Sequence, residues 1–141
     1  MVYADVELIN GLDEGYARNH AIGEDEVRKF PVNILVDTGS YMLAINEHIQ
    51  EYLQLPVVDS KRAQTADNRV INCDAVAPIV LLFENRRFTG SAMVLPGDSE
   101  PLLGAIPLEE MDVLIHPLRQ ELIVNPGHPL YAQLKIKVAI V

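Results

Sequence analysis

The 141-residue sequence has no tryptophan, a single cysteine, and only 11 basic side chains against 20 acidic ones. One cysteine, Cys73, excludes an internal disulfide. The net charge of −9 repels phosphates and anionic headgroups, so nucleic acid and membrane surfaces are poor candidate partners. The bases are also scattered, with Arg28-Lys29, Lys61-Arg62 and Arg86-Arg87 the only adjacent pairs. No apolar run approaches the roughly 20 residues of a membrane span. The stretch from Met1 to Glu7 has neither a basic start nor an apolar centre, so no signal peptide is expected. No Asn-x-Ser/Thr acceptor occurs. Together these features predict a reducing, cytoplasmic setting.

Several chemistries lack their residues as well. His20, His48, His116 and His128 show no metal-binding spacing and have no cysteine partners, so no metal is expected. The eight glycines are dispersed and build no phosphate-cradling loop. No Gly-x-Ser-x-Gly elbow exists. Cys73 sits in an expected strand and reads as a small apolar residue. Glu24-Asp25-Glu26 reads as a solvated loop.

What is present is a chain of one-domain length, rich in Val (15) and Ile (12), which leans toward strands. Residues 2–9 alternate apolar and polar as a half-buried strand does. Residues 10–26, with Gly11, Gly15 and Gly23, read as a long mobile loop. Strand character returns over 27–37. Asn46 can cap a short helix over 47–54, before Pro56. Asp67-Asn68 between two apolar stretches predicts a hairpin, and Glu84-Asn85-Arg86 predicts another. Pro107 predicts the start of a second helix, with Glu109 and Glu110 in its first turn. Short strands are expected at 113–115 and 122–124, and alternation returns over 130–141. The sum is a mostly-β single domain with two short helices.

One segment carries chemistry. Ile34-Leu35-Val36 reads as a buried strand ending in Asp37, followed by Thr38-Gly39-Ser40. A carboxylate there must be hydrogen-bonded or paired. Gly39 lets the chain turn tightly and brings an N–H to the carboxylate, Thr38 can lock the turn to a neighbour, and Ser40 can donate to the ionised form. On its own, Asp-Thr-Gly-Ser is also a common strand-to-loop turn. Asp74 and Asp112 are rival carboxylates, but neither precedes Thr-Gly.

The wider context resembles the retropepsin-like aspartic proteases, and most closely their small bacterial single-domain members. Apolar residues before Asp37-Thr38-Gly39-Ser40 are that family's first signature. Leu102-Leu103-Gly104 followed by a helix resembles its second. A hairpin around Thr65, Ala66, Asp67 and Asn68 lies where the family places the flap that closes over substrate. The likeness spans roughly residues 2–124. The chain departs from viral members at Ala105-Ile106, where they carry a polar or arginine residue, at a flap tip that is not glycine-rich, and in the longer loop 10–26.

The resemblance implies a single-domain acid-protease β-barrel over residues 1–129, working as a two-fold homodimer, with residues 130–141 a C-terminal strand or tail. It implies an aspartic endopeptidase acting on peptide or protein substrates without cofactor. Asp37 would be the shared acid/base, Thr38, Gly39, Ser40 and Gly104 its support, and residues 65–70 the flap. One Asp-Thr-Gly requires a second copy to supply the second carboxylate. Serine after the glycine implies best activity at acidic pH. Terminal strands 2–9 and 130–141 are candidates to interleave between the copies. The alternatives are a catalytically silent dimeric module that binds a peptide or partner protein, and a small β-protein whose Asp-Thr-Gly is coincidental.

Overall fold

The computed structural model describes residues 1–136, and its described part is mostly β. Strands β1 (Val2–Asn10), β2 (Lys29–Val36), β3 (Leu43–Asn46), β4 (Val57–Gln64), β5 (Val70–Phe83), β6 (Arg86–Leu95) and β7 (Leu102–Leu103) share one sheet. Its order is β1-β2-β7-β3-β6-β5-β4, and β1 also pairs with β5. Six strands therefore close into a ring, with β4 attached outside. The apolar sides of β1, β2, β3, β5 and β6 line one core containing Leu8, Ile34, Ile45, Ile79 and Leu81, all fully buried. A separate pair, β8 (Val113–His116) and β9 (Glu121–Val124), packs its inner residues against that core. No helix of the described residues is long and apolar enough to cross a membrane.

Three α-helices occur among the described residues, where the sequence predicts two. The extra one, α1 (Gly11–Arg18), replaces the expected mobile loop at 10–26, which also holds a 3-10 turn at Glu24–Glu26. Buried Asn10 starts α1: its Oδ1 accepts from the N–H groups of Leu12 (3.0 Å) and Asp13 (3.1 Å), and its Nδ2 donates to the Leu53 carbonyl (2.8 Å). Asp13 then pairs with Arg28 through Nε (2.7 Å) and Nη2 (2.9 Å) and accepts from the Arg28 N–H (3.1 Å). The Arg28 hydrogen bonds hold the Asp13 carboxyl below the usual carboxylate range, against the opposing effect of burial. Asp13→Ala leaves the half-exposed Arg28 unpaired and removes one of the ties that hold α1, while those of Asn10 to Leu53 and Glu14 to Arg87 remain. The expected loss is about 2 kcal/mol in urea unfolding, with unchanged slope.

Helix α2 (Glu47–Leu53) starts where expected, with Asn46 Oδ1 accepting from the Ile49 N–H (2.8 Å). Helix α3 (Ala105–Met111) begins two residues before Pro107, so Glu109 and Glu110 fall outside its first turn. Pro107 is tolerated there because first-turn N–H groups have no intrahelical acceptor. Residues 130–136 form no strand, and 137–141 lie outside the described residues.

Candidate active site

Strand β2 ends at Val36 beside Leu103 of β7, the two running parallel with Leu35 opposite Leu102. The Asp37 N–H donates to the Leu103 carbonyl (3.0 Å), which pins the residue at the ring's rim. Asp37 is half-buried and both its oxygens are engaged. The Gly39 N–H donates to Oδ1 (3.0 Å) and the Ser40 hydroxyl donates to Oδ2 (3.0 Å). A third bond, from the Ser40 N–H to the Asp37 carbonyl (3.1 Å), closes the turn. The structure thus brings Asp37, Gly39 and Ser40 together. A Cβ at Gly39 would lie 3.2 Å from Asp37 Oδ1, a tight contact that the carboxylate would have to relieve by shifting a few tenths of an ångström. Thr38 is exposed, and among the described residues its hydroxyl makes no hydrogen bond.

Gly104 belongs to the same assembly. A Cβ on it would lie 2.4 Å from the Met42 carbonyl oxygen, 2.8 Å from that of Ser40 and 2.9 Å from the Met42 nitrogen. This glycine lets β7 and α3 pass directly beneath the backbone that follows Asp37. Contact then becomes bonding, as the Ala105 N–H donates to the Ser40 carbonyl (2.8 Å) and the Ile106 N–H to the Tyr41 carbonyl (2.9 Å). The first turn of α3 is therefore capped by the Asp37 loop and not by a side chain. Sequence reading missed the part of Tyr41 and Met42, since backbone acceptors leave no residue-type signal.

The hairpin at 65–68 forms as expected, with Gln64 opposite Val70. β5 pairs with β6 only from Ala75 onward, so residues 60–64 and 70–74 make a two-stranded arm standing off the ring. Its tip is fastened by its own side chains. Thr65 Oγ1 donates to Asp67, Arg69 Nε donates to Asp67 Oδ2 (2.8 Å), and the Thr65 N–H donates to the Arg69 carbonyl (2.8 Å). Asn68 adopts φ +66. The Thr65 hydrogen bond, then that of Arg69, holds the Asp67 carboxyl below its usual range. No hydrogen bond joins Ala66 or its neighbours to the Asp37 loop among the described residues.

Asp112 has a different task. Its Oδ1 accepts from Asn125 Nδ2 (3.0 Å), and its Oδ2 accepts from the Gln133 N–H (3.0 Å) and meets His128 Nδ1 at 2.6 Å. The Gln133 N–H, then Asn125 and His128, bring its carboxyl down to about 2. With both oxygens engaged, it clasps residues 125–133 to the end of α3. Because the folded value lies below the ordinary carboxylate value, this clasp is fully present above about pH 4. It is lost as pH falls through about 2. Limited proteolysis across pH 5 to 2, with an acid-stable protease, is expected to open 125–133 at the low end before the ring.

Among the described residues no group of three or more His, Cys, Asp or Glu is placed to hold a metal. No protein-family model matches the chain, and no curated protein matches its sequence.

Proposed function

We propose that the chain is an aspartic endopeptidase, active as a homodimer in which a water is activated between Asp37 and the partner's Asp37. The observation that carries this reading is the Asp37 carboxylate itself. It stands at a strand end, oriented by the Gly39 N–H and the Ser40 hydroxyl, over a backbone crossing that only glycine at 104 permits. Two such carboxylates brought together cannot both ionise, so they share a proton. The ionised one takes a proton from water, which attacks the scissile carbonyl carbon. The protonated one donates to the carbonyl oxygen as charge develops there. Collapse of the tetrahedral intermediate breaks the C–N bond, the amine leaves with a proton, and the acid keeps the hydroxyl. The Thr38 hydroxyl, which has no partner among the described residues of one copy, is available to bond across the two-fold axis. The arm tipped by Thr65–Asn68 covers the substrate. The cytoplasm and best activity at acidic pH remain part of the proposal.

The self-fastened flap tip favours one second reading, a dimeric module that holds a peptide without cutting it. A diverse peptide pool incubated from acidic to neutral pH, with Asp37→Asn in parallel and products read by mass spectrometry, separates the two. Cuts present in the wild type and absent in the variant support the protease. A folded dimer that cuts nothing at any pH supports the binding module.

A further inference from the structure

Arg86 is the one buried basic residue among the described residues, with 2% of its surface exposed. It opens β6, where burial alternates: Arg86 and Phe88 are buried, Arg87 and Thr89 exposed. The register sets it opposite Phe83, the last residue of β5, so the two side chains share the inner face of the sheet. An arginine carries five N–H donors and a charge that it keeps at any ordinary pH. Here Nη2 donates to the His128 carbonyl, while Nε and Nη1 are buried and find no acceptor among the described residues. Nor does a carboxylate balance the charge. Glu84, in the same turn, is exposed. Glu14 is taken by Arg87, the next residue along the strand. Asp112 is committed to Asn125, His128 and the Gln133 N–H. A buried guanidinium without a counter-charge is strongly disfavoured. Water can accept from the idle N–H groups, but it leaves the charge as it was.

We propose that Arg86 holds a small inorganic anion of halide size, enclosed between the β5–β6 turn and residues 128–130. The enclosure sets the size. The His128 carbonyl is bonded to Arg86 itself, and the neighbouring Asn85 Nδ2 donates to the Pro129 carbonyl (2.9 Å). Asp112 fastens the same segment at Asn125, His128 and Gln133. A roof tied at this many points admits a monatomic ion and shuts out a phosphate ester or a peptide carboxylate with its chain attached. The surroundings set the charge. Phe83 and Phe88 belong to the apolar core, and beside such walls a direct charge pair is worth far more than in water. The anion thereby becomes part of what keeps residues 125–133 closed over the barrel end. With a net charge of −9 the chain gathers no loose anions, so a response at Arg86 stands apart from the general effect of salt. The inference is independent of what Asp37 does.

Thermal melts of the wild type and Arg86→Met, in sodium chloride and in sodium gluconate at matched concentrations, test this. Gluconate supplies the same ionic strength and is too large for the enclosure. Over about a hundredfold rise in concentration, the wild type is expected to gain about 4 °C more in chloride than in gluconate. Arg86→Met, which removes the charge and keeps an apolar side chain of similar length, is expected to respond to the two salts alike. A wild type indifferent to the choice of anion overturns the site and leaves water as the partner of Arg86. A full chloride preference in folded Arg86→Met overturns it as well, because the ion then sits elsewhere. If the variant does not fold, wild-type crystals grown in bromide decide instead. An anomalous-scattering peak beside Nε or Nη1 of Arg86 supports the site, and a featureless map there overturns it.

Discussion

Asp37→Asn is expected to lower kcat by about a thousandfold or more while leaving the melting temperature within a few degrees of the wild type. The substitution is nearly isosteric. An asparagine oxygen can still accept from the Gly39 N–H, and the Ser40 hydroxyl can rotate to accept from the amide. What is lost is the exchangeable proton and the negative charge, and both copies lose them at once. Kinetics on a peptide drawn from the cleaved pool, beside a thermal melt, checks both halves. Full activity in a folded variant means the carboxylate is structural.

Gly104→Ala is expected to be the most damaging single-methyl change in the chain. Its Cβ would approach backbone atoms of Ser40 and Met42 at 2.4–2.9 Å, and a backbone cannot swing aside as a flexible side chain can. Relief requires the Asp37 loop to lift off α3, which breaks the bonds from Ala105 and Ile106 to the Ser40 and Tyr41 carbonyls. The expected cost is about 3 kcal/mol or more by denaturant unfolding, together with loss of cleavage. By contrast, a Cβ at Gly15 in α1 meets no atom within 4 Å, and Gly15→Ala is expected to stabilise slightly. The pair separates a packing requirement from a general intolerance of alanine.

Local features were legible in the sequence. Asn46 reads as a helix cap, and it is one. Asp67-Asn68 reads as a hairpin tip, and Asn68 takes the left-handed backbone there. The turn after Val36 reads as a tight one, and the Gly39 N–H reaches the Asp37 carboxylate there. Helix α1 was obscured by Gly11 and Gly15, although Asn10, Asp13, Glu14 and Arg18 placed cap and charges as a helix wants them. Its formation depends on Leu53 and Arg28, partners distant in sequence. Strand β5 runs through Pro78, where a proline would ordinarily end it, because its pairing with β6 slips register between Val76 and Ile79. Ring closure rests on β1 meeting β5, a pairing that alternation in either strand does not encode. The Asp112 clasp gathers Asn125, His128 and Gln133, whose common target no spacing announces.

The measurement that bears most directly on a shared Asp37 is a subunit-exchange titration. Wild-type protein at fixed concentration is equilibrated with increasing Asp37→Asn, and cleavage is followed. Random pairing makes the inactive chain a poison. Activity is expected to fall to about half at equal amounts and to about a tenth at a ninefold excess. Activity that stays level at every ratio would contradict the account, because each wild-type chain would then be cutting with a site of its own.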